Sequence, residues 1–220
     1  MDGIFMAITG VGGALAAVGV YFGRLNLTQA GVLANPTPFS RLEHNVGRCV
    51  ALRARPRAAD GAQYIWCRRK FQHYHTHHHH DSSGHHDHTK WTTDSTQVDA
   101  RPFHIEEGGI AVHVQDQPDE VYGTVSHTEG SDGLFTLPGA TRVLVETLPI
   151  GTQLTVCGRL SREGSRWVLR RDRALGLLVS ANNTSSQATH EAIKGWLGVV
   201  GAPLAWLIGS LVAYKHFHPR

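Results

Sequence analysis

Two stretches of 19 residues, Ile4 to Phe22 and Trp196 to Tyr214, contain no charged side chain. At 1.5 Å of rise per residue, each forms a helix about 28 Å long, close to the hydrocarbon thickness of a bilayer. Asp2 and Arg24 bracket the first stretch, and Lys194 and Lys215 bracket the second. Tyr21, Phe22, Trp196 and Tyr214 stand at the edges, where interfacial aromatics belong. A cleaved signal peptide needs a basic start, and the opening MDG has none. A terminal apolar helix of this length is also hard to bury in a soluble core. The reading is an integral membrane protein with two transmembrane helices, 4–22 and 196–214, both termini on one side and residues 23–195 on the other. The flanks disagree about which side that is. The basic tail 215–220 favours a cytoplasmic tail, whereas Arg24 after the first span favours a cytoplasmic middle. Gly19-x-x-x-Gly23 and Ala205-x-x-x-Gly209 are small-residue pairs that allow close helix approach, and with it a homo-oligomer through the spans. Pro203 is a candidate kink.

Between the spans, Pro36, Pro38 and Ser40 mark residues 23–40 as a linker. Segments of strand length follow. RCVALRAR and GIAVHVQD alternate in polarity; AQYIWCRRKF, TRVLVETL, TQLTVCGRL and RWVLRRD are short, apolar and bounded by turn residues. Gly164 within Ser161 to Ser165 marks a hairpin between the last two. The fold class expected is mainly β: one β-rich, barrel- or OB-like domain over 41–180, between two transmembrane helices, with a sandwich as the other architecture that fits. Residues 181–195 read as a polar tether.

Charge in the middle is segregated. Seven basic residues and only Asp60 lie between Arg48 and Lys70, and nine acidic residues against Arg101 alone lie between Asp94 and Asp132. Such a pattern fits a basic surface for phosphates, anionic lipid headgroups or an acidic partner, or simply the outward faces of amphipathic strands. Aromatics do not interleave with the arginines, which argues against single-stranded nucleic acid. The three cysteines, Cys49, Cys67 and Cys157, are far apart in sequence and show neither a disulfide framework nor paired zinc ligands. Cys67 beside Arg68 and Arg69 is either a thiol of lowered pKa or an ordinary buried strand cysteine.

The stretch HYHTHHHHDSSGHHDH, residues 73–88, holds nine of the chain's 16 histidines: His73, His75, His77, His78, His79, His80, His85, His86 and His88. Read as an exposed loop, it carries metal ligands in excess, and neutral imidazole suits Zn²⁺ and Cu²⁺. It lacks the fixed ligand spacing of a structural zinc site and the general-base offset of His-Glu-x-x-His. Three readings stay open: loose metal binding, an inert insertion, and a pH switch.

The order of features resembles the GIDE domain family, the membrane-proximal domain of mulan-type mitochondrial outer-membrane E3 ubiquitin ligases. The resemblance rests on YIWCRRKFQHYH, then Trp91 of KWTTDS, then RPFHIEEGGIAVHV, and then ETLPIGTQLTVCGRL, where Glu146, Gly151, Val156 and Gly158 fill the family's spacing. It covers residues 40–215 and implies a β-rich domain beside the membrane between two spans. The family's chain also ends in a RING finger, whose zinc is held by Cys and His ligands; here no Cys follows Cys157. The expected role is therefore a membrane-anchored interaction or regulatory protein with a protein partner on its β domain. The alternatives are an E3 ubiquitin-protein transferase-type enzyme acting with a partner's RING, and a metal-buffering membrane protein.

Overall fold

The segment TQLTVCGRL shows how the chain closes on itself. A computed structural model describes residues 2–58, 62–81, 84–130, 139–182 and 184–217, with side chains described for 9–58, 62–75, 90–130, 139–182 and 185–216. Eleven strands are present among these residues: β1 Cys49–Ala58, β2 Tyr64–Asp81, β3 Gly84–Ala100, β4 Phe103–Glu107, β5 Ile110–Val114, β6 Glu120–Tyr122, β7 Val125–Gly130, β8 Thr141–Pro149, β9 Leu154–Glu163, β10 Arg166–Arg170 and β11 Leu178–Ser180. The strand β9 pairs with β1 along one edge and with β10 and β11 along the other. From β1 the ladder runs to β4, then β5, then parallel to β10 and back to β9. That is a closed five-stranded barrel, and closure removes the edge strands that would otherwise invite aggregation.

Alternation fills the barrel. Leu154, Val156 and Leu160 of β9, Val50, Leu52 and Ala54 of β1, Phe103 and Ile105 of β4, Val112 and Val114 of β5, and Leu169 of β10 form one buried cluster. In that inward series Gly158 takes its turn between Val156 and Leu160. A Cβ there would stand 2.6 Å from the Arg170 carbonyl oxygen and 2.8 Å from Leu177 Cδ1, so the close passage of strands requires glycine. The alternate positions of β9 are buried as well, by helices, which is why TQLTVCGRL reads as continuously apolar.

A second sheet, in the order β3-β2-β8-β7, is inserted between barrel strands. Its root shares the barrel core through Ile65, Trp66 and Leu148. The strands β2 and β3 continue outward as a long antiparallel arm.

Helix α1 spans Asp2–Ala34, α2 spans Thr184–Trp196, a π-helical stretch covers Leu197–Gly201, and α3 spans Ala202–Phe217. Among the described residues, one helix is long and apolar enough to cross a membrane, Ser185–His216. The first apolar run lies within α1, and its side chains before Thr9 fall outside the described residues. The expected linker over 23–40 is a correction: α1 runs on through it to Ala34, because Ala16, Gly23 and Ala30 bury one face at heptad spacing and Leu33 continues it. The expected tether over 181–195 is likewise helical from Thr184, with Gln187, Ala188 and Glu191 buried against its neighbours.

The helices pack antiparallel through small residues. A Cβ on Gly19 would meet Ala202 Cβ at 2.6 Å, and one on Gly23 would meet the Gly195 carbonyl oxygen at 2.7 Å. Trp206 Nε1 donates to the Thr9 carbonyl at 3.0 Å. Gly19 and Gly23 thus serve a contact within the chain, whereas Gly209 has open space around its Cα.

Candidate functional site

The outer arm of the second sheet carries the histidines. Residues 73–88, expected as a loop, pair as strands up to Asp81 opposite Gly84, and residues 82–83 lie outside the described residues. The sequence explains the strand: β3 is rich in β-branched residues, with Thr89, Thr92, Thr93, Thr96 and Val98. The register then sorts the histidines. Opposite pairs are His77 with His88, His79 with His86, His80 with His85, and His78 with Asp87. Because the pleat has period two, His73, His75, His77, His79, His86 and His88 share one face with Lys90 and Thr92. The other face carries His78, His80 and His85 with Asp87, Thr76, Tyr74 and Trp91. Directly opposed Cβ atoms sit about 5 Å apart, and alternate residues on a strand about 7 Å apart.

The base of the arm is described in full. Register slips between Phe71 and Gln72, leaving Asp94 as the extra residue on β3. Such a bulge re-aims a side chain: Asp94 Oδ1 meets His73 Nδ1 in a close pair. An imidazole held by a carboxylate through Nδ1 presents Nε2 outward, the arrangement in which metal-binding histidines are oriented. The His75 ring packs edge-on against His73 with centroids 4.0 Å apart.

The opposite face at the base is a lock. Tyr74 and Trp91 pack with ring centroids 5.2 Å apart, and the Arg142 guanidinium lies 4.1 Å over Trp91. Arg142 Nε donates to Gln72 Oε1 at 2.9 Å, and Gln72 Nε2 donates to Thr93 Oγ1 at 3.0 Å. A half-buried cation over an indole is worth about 0.5–2 kcal/mol. This lock ties the polar arm to β8, which stands on the barrel. An open groove of about 420 Å³ adjoins it, lined by Phe71, Asp94, Glu129 and Arg142 among others.

The described parts of the nine-histidine set are His73 and His75; the side chains of His77, His78, His79, His80, His85, His86 and His88 fall outside the described residues. Among the described residues, no group of three or more histidine, cysteine or acidic side chains converges to hold a metal.

Charge segregation in sequence becomes charge pairing in space. Arg57 of the basic stretch pairs with Glu106 of the acidic one at 3.1 Å, and Arg171 pairs with Asp119 at 2.9 Å. Glu146 takes both Arg68 and Lys70 of the neighbouring strand. Burial pushes the Glu146 carboxyl up, and hydrogen bonds from Lys70 and Arg68 more than reverse this, so it titrates below the usual range. The Cys67 thiol is buried, and that burial pushes it up despite Arg69. Sequence reading missed Asp94, whose role depends on a bulge, and the meeting of Cys49 with Cys157, 108 residues apart in the chain.

No protein-family model, curated protein or solved structure matches the chain. The site stands on its own geometry.

Proposed function

We propose that the protein is a membrane-anchored interaction and regulatory module whose β domain carries a histidine arm that binds Zn²⁺ or Cu²⁺. The carrying observation is the register of β2 on β3, which gathers six of the nine histidines on one face. That register sets His77 opposite His88 and His79 opposite His86. His73, oriented by Asp94, supplies a first positioned ligand at the base.

In this reading the chain crosses the bilayer twice, with 4–22 and 196–214 as an antiparallel pair and both termini on one side. The small-residue contacts of Gly19, Gly23, Gly198 and Ala202 support it. The barrel order β1-β4-β5-β10-β9, with β5 and β10 parallel, supports an OB-like domain. The GIDE resemblance is supported by the placement of its motif residues: Glu146 anchors Arg68 and Lys70, Gly151 turns with φ +109°, and Gly158 permits barrel closure. Each is a requirement of the fold, so the resemblance bears on architecture. The ligase-type alternative, with a RING supplied by a partner, rests on that resemblance alone. The β domain is where a protein partner would dock, beside exposed Phe71 and Val125, which share one face of the second sheet.

The test is titration calorimetry of the full chain in detergent with Zn²⁺ and with Cu²⁺, beside a variant lacking residues 76–89. Sub-micromolar binding at fixed stoichiometry, lost in the variant, is expected. Binding unchanged by the deletion overturns the proposal.

A further inference from the structure

Two thiols meet on the outer wall of the barrel, beneath the helices. Cys49 of β1 and Cys157 of β9 are both free, and their sulfurs lie 3.7 Å apart. The register explains the meeting. The two strands pair antiparallel with Ala51 opposite Cys157 and Cys49 opposite Arg159, so Cys49, Ala51 and Cys157 share the face that alternates with the core. Leu33 of α1, Ala188 of α2 and Leu178 of β11 close over them.

The two are not equivalent. Cys157 is 1% exposed, whereas Cys49 keeps access to solvent. The hydrogen-bonding contact with Cys157 lowers the Cys49 pKa against the cost of burial and the nearby Asp172 carboxylate, with Arg159 helping. The same hydrogen bond, together with burial, pushes Cys157 up. An accessible thiol of enhanced acidity beside a buried resolving thiol is the arrangement that separates reactive cysteines from inert ones.

We propose that Cys49 and Cys157 form a peroxide-reactive thiol pair, with Cys49 the nucleophile and Cys157 the resolving sulfur. The Cys49 thiolate attacks one oxygen of hydrogen peroxide; the O–O bond breaks, and the departing hydroxide takes a proton and leaves as water. Cys49 is then a sulfenic acid. The Cys157 sulfur attacks Cys49 Sγ, the S–O bond breaks, and the oxygen leaves as a second water carrying the Cys157 proton. Both sulfurs are oxidised, and both peroxide oxygens are reduced. Closing the bond draws the sulfurs from 3.7 Å to about 2 Å. That movement happens directly under Leu33 and Ala188, so the oxidation state is felt where the helices seat on the barrel.

Cys67 is the internal control, since it is 1% exposed and lies outside the pair. The experiment treats the full chain in detergent with hydrogen peroxide in the presence of a chelator, which keeps it independent of the metal reading, and follows each cysteine by peptide mass spectrometry. The expected product is a Cys49–Cys157 disulfide, with Cys49 consumed on the order of tenfold faster than Cys67. In Cys157→Ser, a dimedone adduct should accumulate on Cys49; in Cys49→Ser, Cys157 should stay reduced. Equal rates at Cys49 and Cys67, or oxidation of Cys157 at the wild-type rate in Cys49→Ser, overturns the proposal. If either variant fails to fold, the competition between Cys49 and Cys67 in the unmodified chain decides it.

Discussion

Replacing Gly158 with alanine should destabilise the barrel although it adds only one methyl group. The new Cβ would lie 2.6 Å from the Arg170 carbonyl oxygen, 2.8 Å from Leu177 Cδ1 and 3.2 Å from Leu169 Cγ. Ordinary carbon contacts begin near 3.5 Å, so the neighbours must retreat by most of an ångström. The Leu177 side chain can turn aside, but the Arg170 carbonyl cannot, because Arg170 is paired with Arg159 in the β9–β10 ladder. Overpacking of this kind costs about 1–3 kcal/mol, and a backbone contact places it near the upper end. Loss of glycine's freedom in the unfolded chain offsets about 0.4–1 kcal/mol. The net is about 2 kcal/mol, or roughly 4–8 °C in Tm for a chain of this length. The assay is thermal unfolding in detergent followed by tryptophan fluorescence, since Trp66 and Trp167 both touch the core. Gly31→Ala is the control: it lies in α1 with nothing near its Cβ, and alanine there should be stabilising. A Tm for Gly158→Ala equal to or above the wild type would refute the close-passage argument.

Glu146→Gln should remove an acid-dependent component of stability. Because the folded carboxyl titrates below its unfolded value, its contribution is complete above the usual carboxylate range and is lost as pH falls through the folded value; unfolding at a series of acidic pH values should show that limb in wild type and not in the variant. Gly23→Leu forces a side chain against the Gly195 carbonyl oxygen and Val199 nitrogen, each 2.7 Å from the ideal Cβ, and should lower the helix-pair melting point, whereas Gly209→Leu, in open space, should not. Asp94→Asn should weaken Zn²⁺ binding by about tenfold through loss of the group that orients His73, read by calorimetry against unchanged unfolding.

The barrel was legible where alternation was clean. Ile110, Val112 and Val114 in β5, and Val50, Leu52 and Ala54 in β1, announce a strand with one buried face. The arm was not legible, because β2 beyond Phe71 and nearly all of β3 are polar on both faces and give no apolar period to read. Its strands are held by backbone pairing and by the Arg142–Trp91 lock at the base, which only the fold brings together. The continuation of α1 past Phe22 was hidden by Arg24, Asn26 and Gln29; the buried stripe Ala16, Gly23, Ala30 shows only once a partner helix is present. The nine histidines were visible at once, but their division into faces of six and three depends on the register of β2 on β3, which the sequence does not announce. Cys49 and Cys157 looked unrelated because β1 and β9 meet only on barrel closure.

The most direct measurement removes equal numbers of histidines from the two faces of the arm. One variant replaces His77, His79 and His88 with alanine, and the other replaces His78, His80 and His85; each is titrated with Zn²⁺ in the full chain. The face assignment predicts that the first loses the high-affinity, fixed-stoichiometry site and that the second keeps it. Equal weakening of both would mean that the imidazoles act as an unordered pool, and that the register of the arm has no part in metal binding.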